Sequence, residues 1–342
     1  MKLSFSSKVI LRQPFQMERL PLLAKIYIQA YSQRPGRFHK FVRRPLTRFL
    51  FRLLKSSLGK HNGLFTYLNR DKNATISFRA GNTQFHSLYL PEYSYYEPET
   101  LALIDILLTR KDVFYDVGSN WGHFTLHAAS NPAFQGEIHA FEPMPSTFMD
   151  LESTVKQALL IPQVQLHCLA LSDSSSDTFI TIPDGIHSGN AMLSEKDSGV
   201  KIKRARLDEL PLPPPALMKV DAEGHEATIF SGAHKTIESN KPFILFENFR
   251  NMESPESMLA PMRVLKDLGY VFFLPLFVSD HQGAPVHAGK QDSVPSSAPD
   301  AVLGLFEFKM EERCFLDEQI NILACHQNRL NILESRFTGL GN

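Results

Sequence analysis

Four short polar clusters stand out, each at the end of an apolar run that reads as a β-strand. The first is Asp116-Val-Gly118-Ser-Asn120-Trp-Gly122, after Val113-Phe114-Tyr115. Glycines there permit a tight turn and let backbone approach a ligand closely. The spacing is G-x-N-x-G, not the G-x-G-x-x-G of dinucleotide folds, and no P-loop lysine follows. A triphosphate suits such a loop poorly. A nucleoside carrying an amino-acid tail suits it better, with Asp116 near an ammonium group and the backbone near a carboxylate. The competing reading is a structural turn without a ligand.

The second cluster is Glu142, closing Ile138-His-Ala-Phe-Glu142-Pro and standing 20 residues after Gly122. An acid about 20 residues beyond a glycine loop is where doubly wound folds hold ribose hydroxyls. A carboxylate accepts from both hydroxyls at once. The third cluster is Lys219-Val-Asp221-Ala-Glu223-Gly224-His225-Glu226, where a strand runs into a polar turn. The fourth is Glu247-Asn248 after Phe243-Ile-Leu-Phe. Ligands of open α/β sheets lie at the carboxyl ends of strands, so the four clusters are expected to converge.

These residues need a scaffold that aligns strand ends. Strand patterns recur at 113–116, 137–142, 164–171, 216–220 and 242–247. Helical patterns fall between them at 122–130, 145–159 and 224–238, and a further one lies at 255–268. Such alternation implies a parallel sheet covered by helices on both faces. A helix is expected at 98–109, late strands at 270–276 and 302–309, and a hairpin of 74–80 with 84–90 around Gly81-Asn82. The segment 280–300, rich in Pro, Ser, Gly, His and Asp, reads as a loop insert.

The formal net charge of the 342 residues is zero, but residues 1–70 hold 15 bases against one acid, Glu18. That segment carries +14 and the remainder −14. Within it, Leu46, Phe49, Leu50, Leu53 and Leu54 recur at helical spacing opposite Arg48, Arg52 and Lys55, which predicts a basic amphipathic helix. Two uses compete. Residues 37–60 dock on an anionic membrane, or the segment packs on the acidic remainder of its own chain or of a partner. No nucleic-acid-binding signature accompanies the charge. The three cysteines have no metal-site spacing, and no signal-peptide core or ~20-residue apolar span develops, so a reducing, cytoplasmic setting is expected.

As an ordered set the motifs resemble the S-adenosylmethionine-dependent methyltransferases of the FkbM family. Phe114–Gly122, Phe141-Glu142-Pro143, Ala170-Leu-Ser-Asp173, Lys219–Glu226 with Gly232-Ala233, and Pro242–Glu247 follow that family's series. The resemblance covers about residues 92–310. It implies a class I methyltransferase fold, a Rossmann-like α/β architecture with a seven-stranded, mostly parallel sheet. One late strand, 302–309, would be antiparallel. Residues 1–70 would be a basic helical extension, 71–315 the catalytic domain with the insert at 280–300, and 316–342 a short tail.

The resemblance further implies O-methylation of a sugar, glycan or similar hydroxyl. Asp116, Gly118, Asn120 and Gly122 would hold the methionine moiety of S-adenosyl-L-methionine, Glu142 the ribose, and Ser172 and Asp173 the adenine. Trp121 stands where the family usually has a small or aliphatic residue, and would either wall the pocket or pack on the sheet. A hydroxyl acceptor must lose a proton. His225, the natural acceptor near neutral pH, is the first candidate base, with Asp221 and Glu223 beside it. A divalent metal on Asp221, Glu247 and Asn248 is the less favoured arrangement. His123 and His127 lie one helical turn apart without a third ligand, which makes a weak zinc pair. The rival function is a non-catalytic, membrane-docked binding module that keeps the nucleoside pocket. A nicotinamide oxidoreductase is disfavoured by the loop spacing.

Overall fold

The computed structural model describes residues 2–20, 62–70, 72–79, 82–88, 96–181, 192–194, 199–278, 285–286, 301–317 and 319–338. The chain opens with β1 (Lys2–Val9). Strands β2 (Phe15–Arg19), β3 (Asn62–Tyr67) and β4 (Ala74–Arg79) form a separate three-stranded antiparallel sheet. Helix α1 (Pro98–Leu107) leads into an alternating series of β5 (Val113–Val117), α2 (His123–Ser130), β6 (Glu137–Phe141), α3 (Pro145–Gln157) and β7 (Val164–His167). A four-stranded side sheet follows, of β8 (Ala170–Leu171), β9 (Ser176–Thr181), β10 (Met192–Ser194) and β11 (Val200–Ala205).

Alternation resumes with β12 (Leu217–Val220), α4 (Glu226–Gly232), α5 (His234–Asn240), β13 (Phe243–Phe249), α6 (Pro255–Asp267) and β14 (Tyr270–Val278). The chain ends in β15 (Pro285–Val286), β16 (Ala301–Phe308), β17 (Gln319–His326) and α7 (Leu330–Thr338).

The main sheet has the order β1-β16-β14-β17-β13-β12-β5-β6-β7, with β15 paired to β14 as its tenth strand. Strands β7, β6, β5, β12 and β13 are mutually parallel. Strand β17 lies antiparallel between β13 and β14. Strands buried on both faces read as continuous apolar runs rather than alternating ones. Phe243-Ile-Leu-Phe is such a run, and all four residues are buried. One face packs on α1, α2, α3 and α7 through residues such as Leu103, Leu126, Leu151 and Leu333. The other packs on α4, α5 and α6 through Phe230, Ile237 and Met262. The α/β class with helices on both faces is thus as expected.

Several expectations need correction. The sheet exceeds seven strands because two edge strands, β16 and β1, extend it beyond β14. Residues 301–308 are antiparallel to β14, as anticipated for a late strand, but lie outside it. The interior antiparallel strand is β17, in what reads from sequence as a tail. The helical stretch 224–238 is two helices. At the break a Cβ on Gly232 would stand 1.8 Å from the Ser172 carbonyl oxygen, so the glycine admits a close approach of the neighbouring loop. Residues 83–88 are a 3-10 helix, not the second strand of a hairpin. The Asn82 side chain accepts the N–H of Gln84 at 3.0 Å and starts that turn, while β4 pairs with β3 instead.

The N-terminal extension is stranded, not helical, wherever it is described. The expected amphipathic helix within 37–60 lies outside the described residues, as does the 280–300 insert apart from 285–286. The described part packs on its own chain. Arg12 donates to Asp105 at 2.8 Å, to Ser130 at 2.7 Å and to the His127 carbonyl at 3.1 Å. Trp121 is 2% exposed, stacks on Phe85 at 4.8 Å between ring centres and donates to the Gln84 carbonyl at 3.1 Å. Its indole therefore packs against the N-terminal layer.

Candidate active site

The turn after β5 is a left-handed one. Gly118, Asn120 and Gly122 have φ of 79°, 49° and 97°. Glycine adopts such angles freely, whereas asparagine does so at some cost. The turn is pinned from below. The backbone N–H groups of Gly118 and Ser119 both donate to the Phe141 carbonyl at 3.0 Å, and the Ser119 hydroxyl donates there as well. A Cβ on Gly118 would meet the Asp221 carbonyl oxygen. Gly118 thus lets the ends of β5 and β12 close on each other.

Asp116 is fully buried. Its Oδ2 accepts from the Thr125 hydroxyl at 2.6 Å, while Oδ1 has no partner. Burial raises its pKa, opposed by the charge of Lys219 and the Thr125 bond. The buried Asn120 side-chain oxygen is also without a partner. Glu142, at the end of β6, accepts the N–H of Met144 at 2.9 Å through Oε1 and that of Asn120 at 3.0 Å through Oε2. Each oxygen keeps a second lone pair. Burial pushes the Glu142 carboxyl up to about 7.

His225 precedes α4 with its Nε2 3.2 Å from the Ser172 hydroxyl. That contact joins two residues singled out for different tasks, and ties His225 to the loop that carries Ser172 and Asp173. The turn around it is shaped by Glu226, whose Oε1 accepts the N–H groups of Ala222 at 3.0 Å and Gly224 at 3.2 Å. Glu223 sits in this turn at φ 51°, with its carboxyl pushed up to about 8 by burial and by Asp221 and Glu226.

Asp221, Glu223 and Glu247 each offer an oxygen within 4.8 Å of the others, enough to hold a metal ion. Asn248 does not join them. Successive strand residues face opposite sides, and its amide donates to the Met258 carbonyl at 2.9 Å and accepts from Arg313 at 2.6 Å. Glu223 takes its place in the oxygen set. The His123–His127 pair does not converge either. His127 faces Asp105 at 3.2 Å, whereas His123 is enclosed by Phe15, Tyr96, Trp121 and Phe124.

Six residues unassigned by the motifs complete the site. Lys219 is a charged side chain in the buried strand Leu-Met-Lys-Val. Its ammonium lies 3.0 Å from Asp221 Oδ2 and 4.3 Å from the centre of the Phe124 ring. Burial disfavours that charge, but Asp221, Glu97 and Asp116 outweigh it and raise the pKa. Tyr96, Glu97 and Glu99 come from the start of α1. Asn321 on β17 donates to Glu97 and to Glu99, at 3.1 Å each, and Gln319 two residues earlier donates to Glu247. A lysine interrupting an apolar strand is a signal readable in sequence. The convergence of residues 96–99 with 319–321 is not.

Comparison with known proteins agrees with this arrangement of motifs. Residues 116–272, just under half of the chain, match the family model described as the methyltransferase FkbM domain. The hexuronic acid methyltransferase AglP of Haloferax volcanii is 31% identical over 149 residues, which are 42% of this chain and 59% of that protein. The match therefore spans less than two thirds of that relative. Methyltransferase FkbM from Methylobacillus flagellatus KT aligns in structure over 65% of this chain and 49% of its own, at 15% identity and a TM-score of 0.39. Aeropyrum pernix fibrillarin in complex with S-adenosyl-L-methionine aligns over 71% and 94%, at 12% identity and a TM-score of 0.36. Over residues 116–272 this chain is thus similar to the methyltransferase FkbM family.

Proposed function

We propose that this chain is an S-adenosyl-L-methionine-dependent methyltransferase that methylates a hydroxyl group of a sugar or glycan. One observation carries the donor. At the carboxyl ends of β5, β12 and β13, buried carboxylates outnumber the one buried lysine among the described residues, beside a turn with unpartnered oxygens on Asp116 and Asn120. A cationic ligand with an amino-acid tail and a ribose fits that setting. The bound donor supplies a methyl group already activated on a sulfonium.

The residues of this chain supply positioning. Asp116, Gly118, Asn120 and Gly122 hold the methionine moiety. Glu142 takes the ribose hydroxyls on its two remaining lone pairs, and Ser172 and Asp173 flank the adenine. Orientation alone accounts for up to ~7–11 kcal/mol of a barrier in such reactions. The acceptor hydroxyl gives its proton to the carboxylates at the end of β12, Asp221 or Glu223. His225, hydrogen-bonded to Ser172, sits on the adenine side and serves to hold that loop. A divalent metal on Asp221, Glu223 and Glu247 is not required in this scheme.

The sugar acceptor draws its support from the name of the Haloferax relative. Docking of residues 37–60 on an anionic membrane remains part of the proposal; no described helix is long and apolar enough to cross a bilayer. The test is calorimetry with S-adenosylhomocysteine, followed by transfer of labelled methyl groups to a panel of glycans containing hexuronic acids. Binding lost in Glu142→Ala and label on a sugar oxygen support the reading. No binding to the intact chain at millimolar ligand rejects it.

A further inference from the structure

The start of α1 holds a carboxylate with no local purpose. Glu97 occupies the N-cap position, where acids normally bond the first free N–H groups of the helix. It makes no such bond. Its backbone is left-handed, at φ 45° and ψ 59°, an unusual state for a glutamate. The carboxylate is turned inward, where Asn321 of β17 donates to it at 3.1 Å and the Tyr96 hydroxyl hydrogen-bonds it. It senses the charges of Lys219 and Asp221, so it stands with the acids at the ends of β12 and β13.

Among the described residues, those acids share a single buried counter-charge. Lys219 is the buried cation answering Asp221, Asp116 and Glu97 together. Two further buried oxygens there have no partner: Oδ1 of Asp116, which is 0% exposed, and Oε2 of Glu99, which is 7% exposed and shares Asn321 with Glu97. Burying unpaired carboxylates is costly unless a cation arrives. A metal ion is the weaker occupant. Asp221 already accepts from Lys219, and Glu247 from Gln319, so a metal ion would share two of the three closest carboxylates with N–H donors.

We propose that Glu97, held in place by Asn321 and Tyr96, is a donor-binding residue whose carboxylate takes the positive charge of the methyl donor's amino-acid end. The inference rests on the methyl donor proposed above and adds a residue outside the matched segment 116–272. The positive charge has two sources, the α-ammonium and the sulfonium.

The experiment is calorimetry on the full chain with three ligands: S-adenosylmethionine, S-adenosylhomocysteine, and S-adenosylhomocysteine lacking its α-amino group. Glu97→Gln is expected to weaken S-adenosylmethionine about ten-fold, equivalent to 1.4 kcal/mol, and to leave the deaminated ligand within about two-fold of wild type. A loss shared by both amino-bearing ligands assigns the ammonium. A loss confined to S-adenosylmethionine assigns the sulfonium. Equal losses on all three ligands overturn the proposal. So does a variant that loses magnesium binding while its donor affinity is unchanged. If Glu97→Gln does not fold, Glu97→Asp replaces it, judged by the same selective loss. A wild-type chain that binds none of the three rejects the donor itself. One that binds all three, with an unselective Glu97→Gln, rejects only the role of Glu97.

Discussion

The carbonyl oxygen of Asp221 fills the space that a side chain on residue 118 would need, 1.9 Å from where a Cβ would stand. The turn that carries the proposed donor-binding residues and the turn that carries the candidate bases are thus locked by backbone contact. Gly118 is also at φ 79°, where other residues are strained. Gly118→Ala is expected to lower stability by at least about 1–3 kcal/mol and to abolish S-adenosylhomocysteine binding even where the chain still folds. Thermal unfolding and calorimetry on the same sample check both.

Lys219, 4% exposed, pairs with the half-buried Asp221, 20% exposed. Removing one member of such a pair strands the other, at a cost of about 3–5 kcal/mol. Lys219→Met is therefore expected to destabilise strongly, although methionine suits an apolar strand. The double variant Lys219→Met with Asp221→Asn should recover part of the loss. Denaturant unfolding of the three variants measures that recovery, and additive losses would dissociate the pair.

Buried carboxyls set the pH response of the ligand-free protein. Glu142 is pushed up to about 7 and Glu223 to about 8, from an ordinary 4.5. The folded state keeps protons that the unfolded state has already released, so stability falls as pH rises through these values. His139 and His167 act oppositely. Burial holds both down at about 4 against an ordinary 6.5, so their contribution is lost as pH falls below 6.5. Above pH 6.5 only the carboxyls act. The unfolding temperature of the free chain is expected to drop between pH 6.5 and 8.5, and saturating S-adenosylmethionine to flatten that drop. A free-chain profile that rises over this range contradicts the assignment.

Asn248 is structural. Its amide is divided between Arg313 and the Met258 carbonyl, and Arg313 is completely buried. Asn248→Ala leaves a buried guanidinium short of an acceptor, which costs about 1–3 kcal/mol or more. Donor affinity and any response to chelators should stay as in wild type. A chelator effect that disappears in Asn248→Ala would return this residue to the site.

Local pattern carried the alternating core of the fold. Apolar runs at 113–116, 137–142, 216–220 and 242–247 are strands because burial on both faces demands continuous hydrophobicity, and a polar cluster after each marks a carboxyl end. Where a competing local interaction intervened, pattern misled. Asn82 diverted 83–88 into a 3-10 turn, and Gly232 split a helix so that the Ser172 loop could approach. Strand β17 reads as a tail in sequence because its eight residues carry no turn or glycine signal that ties them to the sheet centre.

The motif residues of the site were legible for the same reason. Asp116, Gly118, Asn120, Gly122, Glu142 and Asp221 lie at strand ends, where chain direction alone brings them together. What sequence spacing could not supply was contact between distant segments. Only the folded chain turned His225 toward Ser172, put Asn248 on the far side of β13, and used β17 to bring Asn321 to Glu97, 224 residues earlier. Side-chain direction and pairing between remote strands depend on which neighbour fills the space, and that is settled by packing rather than by periodicity.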